Sequence, residues 1–314
     1  MAPIDPSAGS FGAGGKSSSP LVSIISVNYG NARLLAECVA LSIATLGDLG
    51  FEYLLVDNVS PDDSYEFLKT HFRNDPRVRV VQTARNGGFG SGCNYGARLA
   101  RSPVLWFLNS DAWIVRLEGL TEALQYLTRP ETGLIGTAVA LHDGTRVPQS
   151  GGQLSFTYLA LSSFRLGKLF RMLPAPVARA ASSAGVFAPR PLRGYLNSFS
   201  HADKANIFVA GSAGGGSFLI GRQTFHLLHG FDENFFLYDE DADLCARAID
   251  AGYRIYVHPK IAVRMFPSAT TSKMPSLELK RIKKRSRVLL ITKHFSGWRR
   301  QVLRIVTSIT WRLL

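Results

Sequence analysis

The chain has 314 residues, of which 46% are hydrophobic, and it carries a formal net charge of +13 at pH 7. This length suits one large α/β domain or two small ones, and the apolar content excludes wholesale disorder. The three scattered cysteines, Cys38, Cys93 and Cys245, exclude a disulfide framework and a cysteine-based zinc site, so we expect free thiols.

Composition divides the chain into segments. Residues 1–20 include twelve Gly, Ser or Pro and predict a disordered leader. Residues 150–205 have weak periodicity and hold seven Lys or Arg against one acidic residue, so we interpret them as an insertion or lid within a main domain at 21–277. Residues 278–314 hold eleven basic residues against one acidic residue and form a basic tail. No apolar run reaches about 18 residues, so no transmembrane helix is expected.

The first half of the sequence alternates strand-like and helix-like segments. Apolar runs predict strands at 22–28, 51–56, 78–82 and 104–108, and helical periodicity predicts helices at 32–46, 91–101 and 118–128. This alternation predicts a parallel sheet covered by helices. Ligands of such sheets bind beyond the carboxyl ends of the strands, so the polar residues that follow each strand are the candidates for a site.

Two strand ends carry such residues. Asp57 and Asn58 follow the second strand and can hydrogen-bond a nucleobase or ribose, or merely start a turn. Asn109, Ser110 and Asp111 follow the fourth strand. A carboxylate there can hold a hard divalent cation together with substrate phosphates, and the alternative is a simple Asx turn.

A glycine-rich loop at residues 85–94 leads from the third strand into a helix. Its glycines allow the backbone to approach a ligand closely, and a helix N-terminus favours phosphate. The alternative is a tight turn packed on the sheet. The loop is not a dinucleotide fingerprint, because Cys93 stands where the third glycine belongs, and this disfavours a dehydrogenase.

Four carboxylates crowd the start of a helix predicted at residues 239–252: Asp239, Glu240, Asp241 and Asp243. Crowding can raise the pKa of one of them towards the range of a general base, whereas the helix N-terminus stabilises the charged forms. Ordinary helix capping is the alternative, and it explains one or two acids but not four.

The tail predicts a basic amphipathic helix. Arg299, Arg300 and Arg304 flank an apolar stripe formed by Val302, Ile305, Val306, Ile309 and Leu313. Such a helix is typical of an anionic membrane surface, and the alternative is a helix packed on the protein with its basic face in water. No nucleic-acid partner is expected, because nothing resembles a known nucleic-acid module.

Seven segments in this order resemble the family 2 inverting glycosyltransferases with a GT-A fold, in particular the bacterial rhamnosyltransferase-like branch. They are VSIISVNYG, LLVDNVSPDDS, ARNGGFGSGCNYGA, WFLNSDA, VAGSAGGGSFLIGRQTF, GFDENFFLYDEDADLCARAIDAGYRI and RSRVLLITKHF, within residues 22–296. The resemblance implies an α/β, Rossmann-like GT-A domain with a mostly parallel central sheet flanked by helices. Here a C-terminal amphipathic helical tail follows that domain.

The resemblance also implies residue roles. Asn28 and Asp57 would lie around the base and ribose of a nucleotide-diphosphate sugar. The rest of the nucleotide-sugar pocket would be shaped by Asn86, Gly88, Phe89, Asn94 and Asn109. Gly211 and Ser212 would line the acceptor side, where residues 150–205 would form the lid.

Two motifs would carry the chemistry. Asn109 and Asp111 match the family's Asp-x-Asp metal motif with its first acid replaced, so Asp111 would coordinate Mg²⁺ or Mn²⁺. Glu240 and Asp241 match the catalytic Glu-Asp pair, with Asp241 as the general base.

One departure from the family concerns a histidine that often follows the last strand and helps to bind metal or diphosphate. Its place falls at Met265, or at Arg264 after a one-residue shift. Metal binding is then weaker here, or Arg264 neutralises the diphosphate directly, and His258 is a further substitute.

The implied reaction is sugar transfer with inversion to a saccharide or lipid-linked acceptor in bacterial surface polysaccharide synthesis. Such an enzyme would be cytoplasmic and peripheral on the anionic inner leaflet of the membrane. One alternative is a non-catalytic carbohydrate or nucleotide-sugar-binding protein with a decayed site. A nucleotidyltransferase is disfavoured, because residues 28–31 lack the Gly-rich loop with Arg and Lys that it needs after the first strand.

Overall fold

The computed structural model describes residues 19–147, 150–163, 205–214, 216–266 and 274–312. Most of the predicted leader (1–18) and most of the predicted lid (164–204) lie outside the described residues.

Ten strands of the described chain form one sheet, and two more form a small ribbon. In chain order the strands are β1 (Val22–Asn28), β2 (Phe51–Asp57), β3 (Val78–Gln82), β4 (Val104–Leu108), β5 (Ala112–Arg116), β6 (Thr132–Leu141), β7 (Arg146–Val147), β8 (Ser150–Gly151), β9 (Phe208–Ala210), β10 (Ser212–Ala213), β11 (Ser217–Gly221) and β12 (Arg254–Met265). The helices are α1 (Ala32–Leu46), α2 (Ser64–His71), α3 (Phe89–Leu99), α4 (Leu120–Leu127), α5 (Phe156–Ser163), α6 (Arg222–Leu227), α7 (Glu240–Asp250), α8 (Ser276–His294) and α9 (Gly297–Arg312).

The strand order in the main sheet is β3-β2-β1-β4-β11-β6-β12-β5, with β7 beside β6 and β9 beside β12. Strands β1 to β4 pair in parallel, β11 runs antiparallel to β4 and β6, and β12 runs parallel to β6. The predicted α/β fold with a central sheet flanked by helices is confirmed. The antiparallel pairs of the main sheet all lie on the side that runs from β4 to β5.

The core lies on both faces of the sheet. Successive residues of a strand point to opposite faces, so Trp106 joins one buried cluster and Phe107 the other. Trp106 donates its indole N–H to Ser217 at 2.9 Å, which satisfies the one polar atom in that cluster's largest side chain. Each of these fully buried aromatic side chains contributes about 1.5–3 kcal/mol through removal of apolar surface from water.

The topology gathers several chain ends at one edge of the sheet. The carboxyl ends of β1 to β4 share that edge, and β11 begins there because Ser217 pairs with Leu108. Helix α7 is 11 residues, or about 16 Å, long and leads through Gly252 into the opposite, amino end of β12. Helix α7 therefore begins at the carboxyl edge, close to the ends of β1, β2 and β4.

The C-terminal helices pack on this edge through a third, smaller core. It is formed by Leu159 of α5, Phe235 of the loop before α7, Leu290 and Ile291 of α8, and Leu303 of α9. Within the described ranges, every helix is too short or too polar to span a bilayer.

Helix α9 buries a face different from its apolar stripe. Leu303 and Thr307 are fully buried, whereas Val302, Ile305 and Ile309 are exposed. Val306 is half-buried, and Leu313 lies outside the described residues. The stripe predicted from the sequence is therefore turned outwards.

Several strands differ from the sequence prediction. Strand β5 and the short strands β7 to β11 are not marked by the pattern, and β12 extends to Met265, whereas the sequence predicts a short strand at 253–258. A register shift between His258 and Ala262 accommodates Pro259, which cannot donate a ladder hydrogen bond.

Candidate active site

The floor of the site is a buried polar cluster at the ends of β1 and β2. Asn28 donates its side-chain amide to one Asp57 carboxylate oxygen at 2.9 Å and to Ser60 Oγ at 3.1 Å. The Ser60 hydroxyl and Gln82 Nε2 donate to Asp57 at 2.6 and 3.0 Å. Asn28 and Asp57 are fully buried, so the donors replace the water that the carboxylate loses. Asn28 and Asp57, which were predicted to lie around the nucleobase and ribose, are thus in direct contact and held in place by hydrogen bonds.

Asn58 connects this floor to the glycine-rich loop. Its amide donates to Asn86 Oδ1 and to the Gly88 carbonyl, both at 2.9 Å, and its side-chain oxygen accepts from the Thr83 hydroxyl at 2.9 Å. Asn86 Oδ1 also accepts from the Gly88 N–H. The sequence predicted Asn58 as a nucleoside-binding or turn residue, and its link to the glycine-rich loop was missed because its partners lie more than 20 positions away.

Gly88 and Phe89 lie directly against the aromatic loop at residues 231–238. The Phe89 N–H donates to the Phe236 carbonyl at 3.0 Å. Gly88 has φ +89°, and a Cβ there would overlap the Phe236 carbonyl. Only glycine suits this position, for its backbone angle and for the space it leaves.

Asn94 of α3 holds the aromatic loop in place through side-chain hydrogen bonds. Its side chain accepts from the Phe231 N–H and donates to the Phe231 carbonyl, each at 2.9 Å, and it also donates to Glu233. Phe89 and Phe231 meet edge to face with ring centroids 6.1 Å apart. These contacts fix the aromatic loop against the first turn of α3.

Asn109 and Asp111 form a tight turn at the end of β4. The Asn109 N–H donates to the Gly216 carbonyl at 3.1 Å, and its carbonyl accepts from Ala112. Asp111 is 6% exposed, and its carbonyl accepts from the Phe266 N–H at 2.9 Å. Burial, and then the Asp111 charge, raise the pKa of the Cys38 thiol to about 12.

The Asp111 carboxylate and the Asn109 side-chain amide suit a hard divalent cation, because carboxylate and amide oxygens are the ligands that Mg²⁺ and Mn²⁺ prefer. In the parts of the chain that the structure describes, no three His, Cys, Asp or Glu residues gather as a metal site. One carboxylate completed by substrate phosphates is the arrangement that these residues fit.

Arg264 and Met265, where the family resemblance implies a histidine, lie at the end of β12. Met265 pairs with Ala112 and Arg264 with Trp113, so both positions adjoin the turn of Asp111. His258 is fully buried and contacts Glu122 of α4 at 3.1 Å. Burial lowers its pKa. The His258 imidazole is thus engaged by α4.

The predicted acceptor-side residues lie on the ribbon of β8 and β10. The Gly211 N–H donates to the Gly151 carbonyl at 3.2 Å, and Ser212 pairs with Gly151. A Cβ on Gly211 would overlap the backbone of Gln153. The carbonyl of the next residue, Ala213, accepts a weak hydrogen bond from Cys245 of α7 at 3.7 Å, which ties the ribbon to the acid-rich helix.

The four crowded carboxylates have four different environments. Asp239 accepts two hydrogen bonds from Arg287 at 2.8 and 2.9 Å. Burial alone would raise the pKa of Asp243, but His294, Lys293 and Arg247 together lower it to about 2. These two acids are therefore held by basic residues, mostly from α8.

Glu240 and Asp241 complete the cluster. Glu240 is 5% exposed, and among the described residues its Oε2 has no hydrogen-bond partner. Burial, and then the Asp241 charge, raise its pKa well above the usual range, so the neutral acid is favoured. Asp241 is half-buried. The crowding predicted from the sequence thus acts most strongly on Glu240.

Tyr158 of α5 joins the site although sequence reasoning missed it. Its hydroxyl and that of Ser212 both lie over Gly151, where an added Cβ would contact them. Burial raises the pKa of Tyr158, and the charges of Arg287, Asp241 and Asp239 also act on it. No periodic signal marks Tyr158, because it lies in the irregular segment at 150–205.

Comparison with known proteins identifies the family. A model described as "Glycosyl transferase family 2" matches residues 23–182. The chain is 24% identical over 304 residues to N-acetylglucosaminyl-diphospho-decaprenol L-rhamnosyltransferase of Mycobacterium tuberculosis, covering 90% of this chain and 87% of that protein. It is 36% identical over 96 residues to "Uncharacterized glycosyltransferase EpsJ" of Bacillus subtilis, covering 30% of this chain and only 27% of that protein's length.

A solved structure shares the fold. The mannosyltransferase PcManGT from Pyrobaculum calidifontis, in complex with GDP-Man and Mn²⁺, superimposes with a TM-score of 0.54 at 15% identity. The match covers 93% of this chain and 70% of that chain. The GT-A fold predicted from the sequence is confirmed.

Proposed function

Because the chain belongs to glycosyl transferase family 2, we propose that it moves a sugar from a nucleotide-diphosphate donor to an acceptor hydroxyl with inversion at the anomeric carbon. The product would be part of a bacterial surface polysaccharide. The name of the mycobacterial relative supports a saccharide carried on a lipid diphosphate as the acceptor, and L-rhamnose as the first sugar to test.

One observation carries the proposal: the turn that holds Asp111 and the start of α7 that holds Asp241 lie at the same edge of the sheet. A short segment connects them, since the Ala213 carbonyl contacts Cys245 of α7 and the Gly216 carbonyl contacts Asn109. Three residues span at most about 11 Å, and this closeness supports the proposal that donor-side and acceptor-side groups share one cleft.

In this cleft Asp241 would act as the general base. It accepts the proton of the acceptor hydroxyl as that oxygen bonds to the anomeric carbon, while the bond from that carbon to the nucleotide diphosphate breaks on the opposite face. A direct displacement of this kind inverts the configuration and needs no protein nucleophile. Glu240 is the weaker candidate for the base, because its buried carboxyl favours the protonated form, which accepts no proton.

The donor would lie across the ends of β1, β2 and β4. Asn28 and Asp57 would orient the base and ribose, and the loop of Asn86, Gly88 and Phe89 would follow the nucleotide sugar. Asn94 keeps the aromatic loop in place beside it. Gly211 and Ser212, together with Tyr158, would face the acceptor.

Asp111, assisted by the Asn109 amide, would hold a divalent cation. When bound, Mg²⁺ or Mn²⁺ supplies Lewis-acid stabilisation of the charge that grows on the leaving diphosphate. The Mn²⁺ in the complex of the archaeal structural neighbour supports this choice of ion. Arg264 lies beside this turn and would add positive charge at the place where the family resemblance implies a histidine.

We further propose peripheral attachment to the anionic inner face of the cytoplasmic membrane. The outward face of α9 carries Trp298, Ile305 and Ile309, which are 63%, 59% and 53% exposed. Arg299 and Arg304 are exposed beside them. An apolar face bordered by arginines fits the interface of an anionic bilayer, where a lipid-linked acceptor would be found.

The test is a transfer assay on the full chain with dTDP-L-rhamnose and other nucleotide sugars, a polyprenyl-diphosphate saccharide, and Mg²⁺ or Mn²⁺. We expect one donor to raise the melting temperature and to yield a product whose anomeric configuration, read by NMR, is inverted. Donors that stabilise the protein but yield no product with any acceptor would favour the non-catalytic binding protein.

A further inference from the structure

Helix α8 contacts the acid-rich segment at residues 237–243, which leads into α7 and forms its first turn. The Ser286 hydroxyl donates to the Leu237 carbonyl at 2.7 Å, and Arg287 donates twice to Asp239. Nearly two turns further on, Lys293 and His294 each contact an Asp243 oxygen at 2.8 Å. These residues belong to the segment RSRVLLITKHF, which the sequence analysis assigned to the basic tail without a role near the acid-rich helix.

The segment held by Ser286 and Arg287 is a strained corner. Tyr238 and Asp239 both have left-handed backbone angles, with φ +71° and +63°. Side chains other than glycine adopt this conformation at a cost in free energy, and it persists where surrounding contacts enforce it. Here those contacts are the two α8 side chains, with Lys283 placed over the Tyr238 ring at 4.5 Å.

This corner sets the direction of α7. The Asp239 carbonyl accepts the first helical hydrogen bond, from the Asp243 N–H at 2.9 Å. Asp241 lies in the turn that this bond closes, so a shift of Asp239 moves Asp241 with it. Arg287 also lies close enough to Asp241 and Tyr158 for its charge to interact with both side chains.

We propose that Arg287 is a positioning residue for the reaction: by holding Asp239 in the left-handed corner, it aims Asp241 at the acceptor hydroxyl. The inference rests on the proposed function. It concerns a helix of the basic tail, in which Arg287 lies 46 positions beyond the proposed base Asp241.

Docking of α8 alone does not require Arg287. Asp243 is fully buried and is held by Lys293, His294 and Arg247 together. Leu290 and Ile291 add buried apolar contact with Phe235. Removal of Arg287 should therefore leave α8 in place and free only the corner, which separates a positioning role from a structural one.

The experiment compares Arg287→Ala and Arg287→Lys with Arg285→Ala, which removes an exposed arginine of the same helix. We expect Arg287→Ala to lower kcat by about 10²-fold, as small misplacements of reacting groups do, while Kd for the nucleoside diphosphate product stays within about threefold. Arg287→Lys should recover part of the loss, and Arg285→Ala should behave as wild type.

Two results overturn the inference. One is a kcat of Arg287→Ala equal to that of Arg285→Ala. The other is an Arg287→Ala variant in which melting temperature and product binding collapse together, since that marks a structural role. Amide hydrogen exchange at residues 236–243 gives a readout without turnover: faster exchange in Arg287→Ala than in Arg285→Ala supports the inference, and equal rates refute it. An inactive wild-type protein would refute the proposed function separately.

Discussion

At the scale of single residues, the start of α7 shows how position separates chemically similar groups. Asp239 and Asp243 are neutralised by basic side chains of α7 and α8, and Glu240 is buried under the first turn of α3. Asp241 is half-buried, and its charge acts on Tyr158. The role of each acid follows from its surroundings rather than from its residue type.

Glu240 makes stability depend on pH. Its folded-state pKa is raised, so the folded chain keeps a proton that the unfolded chain has lost, and stability falls as pH rises above 4.5 towards the folded pKa. Glu240→Gln removes this dependence. We expect the melting temperature of Glu240→Gln, relative to wild type, to increase between pH 4.5 and pH 8.

The matched control is Glu66→Gln, on an exposed position of α2. Its melting temperature should follow wild type at every pH. A constant or decreasing difference between Glu240→Gln and wild type over this range would show that Glu240 is charged in the folded protein.

At the scale of elements, the glycine-rich loop and the aromatic loop form one unit. The loop before α3 contacts Phe236, and Asn94 within α3 holds Phe231. The donor side therefore depends on a segment that directly precedes the proposed base. A ligand that moved the glycine-rich loop would therefore also move the aromatic loop, because the two loops are hydrogen-bonded to each other.

Gly88→Ala tests this contact. Gly88 and Gly252 both have φ +89°, but an added Cβ at Gly252 meets nothing within 4 Å, whereas at Gly88 it overlaps Phe236. Gly252→Ala should cost about 1–2 kcal/mol from the left-handed backbone alone. We expect Gly88→Ala to cost at least about 1 kcal/mol more in urea unfolding and to weaken nucleotide binding. Equal costs for the two variants would argue against the contact.

The parallel half of the sheet could be predicted from the sequence almost to the residue. Strands such as Val22–Asn28 and Val104–Leu108 are short apolar runs bounded by polar turns, so their pattern is local. Strand β5 escaped prediction because only four residues, Ala112 to Val115, follow the Asp111 turn before the charged Arg116. The extension of β12 depends on pairing with β5 and β6, which no local pattern reveals.

The candidate site could be predicted only in part, for a related reason. Asp57 and Asp111 lie at the ends of predicted strands and are visible to local reasoning, whereas Asn28 was identified only through the family resemblance. The contacts of Asn58 with Asn86 and of Arg287 with Asp239 join residues 28 and 48 positions apart. The charge of the tail suggested a membrane surface, and its second use, in holding the acid-rich segment, appears only in three dimensions.

At the scale of the whole molecule, α8 and α9 form a hairpin with two different sides. The inner side, through Arg287, Lys293 and His294, holds the segment of the proposed base. The outer side presents the apolar and arginine-rich face of α9. Attachment of this face to a membrane would place the cleft close to a lipid-linked acceptor.

Flotation with liposomes tests the outer face. The full chain should float with vesicles that contain anionic phosphatidylglycerol, less so with neutral vesicles or at high salt. The double variant Ile305→Asp/Ile309→Asp should reduce binding by more than roughly tenfold, because each isoleucine contributes about 1.5–3 kcal/mol when buried. Leu227→Asp, at a 61% exposed position on α6, is the control. Unchanged flotation of the double variant would exclude this face as the attachment site.

The most direct test of the account is single-turnover transfer by Asp241→Asn beside Asp250→Asn, which changes the exposed aspartate at the far end of the same helix. General-base assistance is worth about 10²–10⁴-fold, so Asp241→Asn should lose at least that much rate while nucleoside diphosphate binding stays near wild type. Asp250→Asn should retain full activity. A transfer rate near wild type in Asp241→Asn would contradict the assignment of Asp241 as the base.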